Sequence, residues 1–327
     1  MATRTVLSIG NFDGVHIGHA ALIRRARELA GDARVVALAF DPHPLTKLKP
    51  AAAPERLTRF DRREALLLQA GADQVVQLRP DEATLGRSAA EFAEWLVATY
   101  APVCIVEGSD FHYGKGRGGN VQTLAEFGAS LAPDRRFSVD VVQPIQVALD
   151  DQLVVTASSS ITRWLVAHGR VRDAAAVLGR GHEVDGVVVR GDQRGRTIGF
   201  PTANIQQTVD DVLLPADGVY AAIATLPDGS ECPSAVNIGA RPTFQGVERR
   251  VEAIVLDDDG GSVRTLPIGE YGWHLKLSFV AWLRDQVKFS GVEALRAQLS
   301  RDMLRAGIAV SASRNAAGQQ SNIGAFV

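Results

Sequence analysis

Thr5-Val6-Leu7-Ser8-Ile9-Gly10-Asn11-Phe12-Asp13-Gly14-Val15-His16-Ile17-Gly18-His19 decides how the first half of the chain folds. Thr5 to Ile9 is a short apolar run ending at Gly10, the signal of a buried strand. From Ala20 to Ala30 the apolar spacing turns helical, with Leu22, Ile23, Ala26 and Leu29 on one stripe. A glycine-punctuated turn therefore joins a strand end to a helix start, and such a turn offers backbone N–H groups to an anion. His16 and His19 share a face if the helix begins by His16, and paired imidazoles there can donate to phosphate oxygens. Two plainer readings stand beside this one. The histidines can be exposed residues on a capped helix, or a metal pair, although no cysteine or carboxylate partner stands nearby at a metal-like spacing.

Working outward, Arg34 to Phe40 reads as a strand and Asp41-Pro42-His43-Pro44 as a rigid turn past its end. Arg62 to Ala70 reads as helix, Gln74 to Leu78 as strand, Ala89 to Tyr100 as helix and Val103 to Val106 as strand. This alternation predicts βαβ units and a mainly parallel sheet, with ligands beyond the carboxyl ends of its strands. Glu107 to Asn120 follows a strand and carries five glycines with Lys115 and Arg117 between them. It reads either as a mobile basic loop that folds over phosphates or as a flexible surface loop. Ser158-Ser159-Ser160-Ile161-Thr162-Arg163 opens a helix with a natural serine cap, which is an anion site or plain capping. Neither a P-loop nor a glycine-rich dinucleotide turn after the first strand is present.

The chain has 327 residues, enough for two cores, and 46% hydrophobic with 22% charged residues is ordinary for a soluble globular protein. With 35 basic and 37 acidic residues the net charge is −2, which disfavours nucleic-acid binding through a broad basic face. Cys104 and Cys232 lie far apart in apolar stretches and read as core residues. No apolar run is long enough for a bilayer, so no membrane partner is expected. The N-terminus lacks a signal-peptide pattern, and the expected compartment is the cytoplasm.

The texture changes after Gly179-Arg180-Gly181. Val187 to Val189, Val219 to Ala224, Ser234 to Ile238, Val251 to Leu256 and Trp273 to Val280 are short strand-like runs. Turns at Gly191-Asp192, Pro215 to Gly218 and Pro227 to Gly229 separate them, which predicts a compact antiparallel barrel. Val292 to Leu304 is an amphipathic helix expected to cover one barrel opening, and the polar chain from Ser311 is expected to fray. Within this half Gly195-Arg196-Thr197-Ile198-Gly199-Phe200-Pro201-Thr202-Ala203-Asn204-Ile205 stands out. Gly195 and Gly199 permit unusual backbone angles and close ligand approach. Thr202 and Asn204 face one side of an extended segment and present hard oxygens that suit Mg²⁺ with phosphate. The plain reading is a polar turn between strands. Glu252 shares a strand face with Ile254 and Leu256, where a carboxylate is costly unless paired, so it is either a candidate general base or an ion-pair partner of Arg249 or Arg250.

Together these stretches resemble the bacterial bifunctional riboflavin kinase/FMN adenylyltransferase family. The matching segments are Gly10 to His19, Asp41 to Pro44, Gly108 to Gly118, Ser158 to Arg163, Gly195 to Ile205, Pro215 to Tyr220, Asn237 to Phe244, Glu252 and Arg284 to Phe289. The resemblance implies an α/β nucleotidylyltransferase domain with a Rossmann-like parallel sheet over residues 1–180. A riboflavin kinase β-barrel with a C-terminal helix would follow over 181–310, then a polar tail over 311–327. It implies that riboflavin is phosphorylated by ATP to FMN, with Thr202 and Asn204 holding Mg²⁺ and Glu252 taking the hydroxyl proton. FMN would then be adenylylated by a second ATP to FAD, with His16, His19, Ser159 and Arg163 on phosphates and Gly10, Asn11 and Asp110 lining the site.

Two departures from the family pattern bear on the kinase half. Gln286 stands where the family often has Glu, and Asp257 to Glu270 is longer than the usual connection and reads as a surface insertion. Two competing readings are a chain in which one module alone works, and a flavin- or nucleotide-binding regulator without turnover. The sequence leaves the oligomeric state open.

Overall fold

The computed structural model describes residues 4–191, 194–206, 212–243, 246–258, 260–265 and 271–323. Asp192, Phe244, residues 259 and 266–270 of the stretch from Asp257 to Glu270, and residues 324–327, all of which figure in the sequence analysis, lie outside the described residues. The chain forms two compact units, Met1–Ile161 and Thr162–Val327.

The first unit is built on a five-stranded parallel sheet. Its strands are β1 (Thr5–Gly10), β2 (Arg34–Phe40), β3 (Gln74–Leu78), β4 (Pro102–Gly108) and β5 (Ser138–Val142), in the order β3-β2-β1-β4-β5. The three central strands, β1, β2 and β4, are largely apolar on both faces because helices cover both. Val6, Val35, Ala37 and Val106 pack under α1 (Ile17–Ala30) and α2 (Phe60–Gln69) through Ile23, Ala26, Leu66 and Leu67. Leu7, Val36, Leu38 and Ile105 face the other way, onto α3 (Ala89–Tyr100) and α4 (Val121–Ser130) through Phe92, Leu96 and Leu124. Fully burying a side chain such as Leu96 is worth about 1.5–3 kcal/mol. Capping boxes set two helix starts, Ser88 with Glu91 on α3 and Asn120 with Thr123 on α4. β1 pairs with β2 on one side and β4 on the other, so the strand order reverses at β1. A crevice at the carboxyl ends of β1 and β4 is where such sheets bind ligands.

The expected loop from Glu107 to Asn120 proves more ordered than its glycine content suggests. Glu107 and Gly108 finish β4, a short hairpin pairs His112–Tyr113 with Gly119–Asn120, and a 3₁₀ turn spans Lys115–Arg117. A Cβ on Gly119 would sit 2.5 Å from the Tyr113 ring, so the glycine serves close packing there.

In the second unit α5 (Ser159–Ala167), which begins in the first, and α6 (Val171–Leu178) precede a closed six-stranded barrel. Its strands are β6 (His182–Val189), β7 (Ala203–Gln206), β8 (Gly218–Thr225), β9 (Glu231–Thr243), β10 (Gly246–Val255) and β11 (His274–Arg284). They close in the order β6-β7-β10-β9-β8-β11, antiparallel throughout. Tyr220, Val236, Ala253, Leu277 and Phe279 fill the interior.

α7 (Val292–Ile323) lies against the barrel wall and does not cap an opening as expected from its sequence. Its Met303 and Ala306 pack on Val219, Ala221, Ala235, Ile254, Ala281 and Leu283. Those residues alternate with the interior set, so they point out of the barrel and need a cover. The predicted fraying tail is helical to Ile323, and Arg314 donates to the Glu231 carbonyl at 2.9 Å. The expected surface insertion is partly docked. Leu256 bridges to Val263, and Gly260 is buried where a Cβ would meet Gly307 of α7 at 2.5 Å. Two glycines facing each other let backbone meet backbone.

Candidate active sites

At the first crevice, β1 ends at Gly10 and the turn runs through Phe12, Gly14 and Val15, with φ of 49°, 85° and 39°. Three left-handed residues in so short a span mark a strained turn that its surroundings must hold. His16 caps α1, its Nδ1 accepting from the His19 N–H at 3.3 Å. The two imidazoles stack with centroids 3.6 Å apart, and Phe12, fully buried, meets His19 edge-on at 5.2 Å. With Nδ1 accepting, the proton of a neutral His16 is on Nε2, at the opposite edge of the ring. The Asn11 amide lies 3.2 Å from His43 Nε2, which brings the Asp41 turn to the same rim. Ser159 Oγ donates to the Asp13 carbonyl at 2.7 Å, and Ser158 Oγ accepts from Ile161 N–H at 3.2 Å. Arg163 stands one turn into the same helix, α5. Asp110 is exposed, and its carbonyl lies 2.8 Å from His112 Nδ1.

Beneath the turn sits Arg63, a residue that sequence reasoning passed over. Only 3% exposed, it donates to the carbonyls of Asn11 and Phe40 at 2.9 and 2.8 Å and to Asp41 Oδ1 at 3.2 Å. Asp13 Oδ1 lies 3.8 Å from it and also accepts from the N–H groups of Leu57 and Thr58. Burial lowers the Arg63 guanidinium from its ordinary value, and the Asp13 and Asp41 carboxylates push it back up. A buried cation is tolerated because each of these groups pairs with it. Glu107 opens the stretch whose glycines suggest a loop, and no sequence signal marks it. Its Oε1 accepts from Ile9 N–H at 2.6 Å just beyond the last β1–β4 pair, Leu7 with Ile105. Burial raises its carboxyl well above the usual range, with the Asp110 charge adding to the rise and the Ile9 N–H opposing it.

The second site lies on the outside of the barrel. β10 runs between β7 and β9, and register places Glu252 opposite both Asn204 and Asn237. Three polar side chains therefore form one row across three strands. Asn237 Nδ2 donates to Glu252 Oε2 at 3.4 Å. Arg249, one of the two expected ion-pair partners of Glu252, is bonded to Asp217 at 2.8 Å and to the Pro215 carbonyl. Asn204 is nearly buried, and its Nδ2 reaches Thr202 Oγ1 at 3.5 Å. Its Oδ1 is buried and has no hydrogen-bond partner among the described residues. A Cβ on Gly191 would lie 2.4 Å from Asn204 Nδ2, so this glycine, which the sequence reading took only for a turn, makes room for the amide. Gly199 takes a left-handed φ of 87°, whereas Gly195 is needed for space, since a Cβ would meet the Phe200 carbonyl at 2.3 Å.

These residues line a cavity of about 710 Å³. Ile254, Leu295, Leu299 and Phe289 give it an apolar wall, and Thr202, Asn204, Glu252 and Gln286 a polar one. Asp302, 1% exposed on α7, grips Arg284 with both carboxylate oxygens at 2.8–3.1 Å. The donor set fits Mg²⁺ in its chemistry, because the Thr202 hydroxyl and the orphaned Asn204 amide oxygen are hard ligands and so small a protein set leaves positions for phosphate. Among the described residues no group of three or more His, Cys, Asp or Glu is placed to hold a metal.

Family models agree with this division. The FAD synthetase model matches residues 1–156 and the riboflavin kinase model residues 178–309. A bifunctional riboflavin kinase/FMN adenylyltransferase of Escherichia coli strain K12 is 33% identical over 305 residues, covering 92% of this chain and 91% of the relative. The Bacillus subtilis strain 168 protein of the same name is 29% identical, covering 91% and 90%. A crystal structure titled as a macrolide-efflux protein from Streptococcus pneumoniae superposes with a TM-score of 0.79 at 28% identity, covering 92% and 93%. No described helix is long and apolar enough to cross a membrane. With both domains matched and a relative 33% identical across nearly the whole length, the chain belongs to the bifunctional riboflavin kinase/FMN adenylyltransferase family of enzymes.

Proposed function

We propose that the barrel phosphorylates riboflavin, that the parallel-sheet domain adenylylates the FMN so formed, and that the two activities divide near Gly181. In the barrel, the ribityl terminal hydroxyl attacks the γ-phosphorus of ATP. A new O–P bond forms, ADP leaves, and the hydroxyl proton passes to Glu252. The Thr202 hydroxyl and the Asn204 carbonyl oxygen would hold Mg²⁺. Bound there, the ion would neutralise charge on the transferring phosphate. The apolar wall of the cavity suits a flat flavin ring and the polar row its hydroxylated tail. The observation that carries this reading is the register row of Asn204, Glu252 and Asn237 beside an orphaned oxygen.

In the first domain an FMN phosphate oxygen attacks the α-phosphorus of a second ATP, releasing pyrophosphate. His16, His19, Ser159 and Arg163 contact the phosphates, while Gly10, Asn11 and Asp110 line the nucleotide pocket. The capped, stacked histidine pair at a helix start supports that assignment. Neither step needs a covalent enzyme intermediate, so alignment and charge stabilisation supply the rate. Dependence on ATP supports a cytoplasmic location for both reactions. Purified protein given riboflavin, ATP and Mg²⁺ should accumulate FMN first and FAD later. FAD formed from added FMN, with no FMN formed from riboflavin, would reduce the barrel to a binding module.

A further inference from the structure

The row of polar side chains on the barrel does not stop at Asn237. Gln286, just past the end of β11, donates from Nε2 to Asn237 Oδ1 at 2.7 Å. Asn237 in turn donates to Glu252. The space for this contact is reserved, because a Cβ on Gly239 would lie 2.1 Å from Gln286 Nε2. The polarity of the chain is dictated from the carboxylate outward. A carboxylate only accepts, so Asn237 must present its NH₂ to Glu252, which leaves Oδ1 facing residue 286. Residue 286 must then donate, and a glutamine amide donates where an ionised glutamate does not.

We propose that Gln286 is a positioning residue for phosphoryl transfer, holding the Asn237 amide in the orientation that aims the Glu252 carboxylate at the substrate hydroxyl. This rests on the reading of Glu252 as the proton acceptor. The other charged groups lining the cavity are Arg250 on the same strand as Glu252, Arg284 and Lys288 at and beyond the end of β11, and Asp302 on α7, which is held by Arg284. None of them supplies the donor that Asn237 Oδ1 receives from Gln286.

The test compares steady-state FMN formation by Gln286→Leu, Gln286→Glu and Gly239→Ala with the parent protein across pH. Gln286→Leu removes the donor, and kcat should fall about tenfold with KM for riboflavin and ATP within about twofold, since aim is lost while binding contacts remain. Gly239→Ala pushes the glutamine aside and should reproduce that loss. Gln286→Glu sets carboxylates at both ends of one amide, so one must keep a proton, and the acid limb of the kcat profile should move to higher pH. In an Asn237→Leu background, Gln286→Leu should cost nothing further. Unchanged kcat in Gln286→Leu, or an unmoved acid limb in Gln286→Glu, would overturn the relay. Glu252→Gln separates this failure from that of the underlying reading. If it stays active, Glu252 is not the base and the relay falls with it. If it is inactive while the Gln286 variants match the parent, only the relay falls.

Discussion

In the first domain Asn11, His16 and His19 lie on one continuous segment, whereas in the barrel Asn204, Asn237 and Glu252 come from three strands and meet through register alone. The first arrangement is local in sequence but not self-supporting. Its strained turn is held from below by Arg63, which comes from α2 and joins the ends of β1 and β2. The second arrangement is remote in sequence but rests on the ladder of a closed barrel, where slipping one residue would turn every side chain to the other face. A motif on one segment can thus depend on a distant charge for its shape, while a row across strands depends on the whole sheet.

The strongest way to break this contrast is to remove one member of the barrel row. Asn204→Ala should reduce FMN formation about a thousandfold, as expected when a ligand of the ion that neutralises the transferring phosphate is lost. FMN supplied directly should still become FAD. Loss of both activities together would mean that the two regions are not separate sites.

Arg63→Met probes the support of the local motif. It takes Arg63 from the buried Asp13 and leaves Asp41 with Arg56 at 3.3 Å, and breaking such a buried pair costs about 3–5 kcal/mol. Thermal unfolding followed by calorimetry should show the first domain melting earlier, with FAD synthesis lost and FMN synthesis kept. A melting curve unchanged from the parent would show that the turn holds itself.

The legibility of the sequence follows the same contrast. The strand, glycine turn and helix around His16 could be read because each signal is local and in order. Arg63 could not, because Arg59-Phe60-Asp61-Arg62-Arg63 has the charge pattern of a solvated helix face. Glu252 was noticed as a carboxylate on an apolar strand, but its place opposite Asn237 is a fact of pairing that no single strand reveals. The covering helix was visible by its spacing, yet its seat on the wall was hidden. Val219 through Ala222 are apolar on both faces, which erases the alternation that separates inside from outside.

A smaller effect is expected at the first site itself. His19→Ala removes one donor from the phosphate-facing helix start and should slow FAD formation about a hundredfold, so that FMN accumulates. Undiminished FAD output would take His19 out of the site and leave the stacked pair a packing feature.

The smallest effect sharpens the contrast where the parallel sheet opens. Glu107 supplies to Ile9 the acceptor that strand pairing has ceased to provide, and burial holds its carboxyl well above the usual range. A carboxyl raised in the native state binds its proton more tightly there than in the unfolded chain. Its contribution to stability is therefore complete below the ordinary carboxylate range and is lost as pH rises toward the native value. Glu107→Gln keeps an oxygen for the Ile9 N–H and cannot ionise. The variant and the parent should melt together near pH 4. Above that the variant should gain, reaching ~2–4 °C at neutral pH, about what 1 kcal/mol moves in a domain of this size. A variant that loses stability as pH rises would mean that the native carboxyl is ionised, with a cation close by to hold it so.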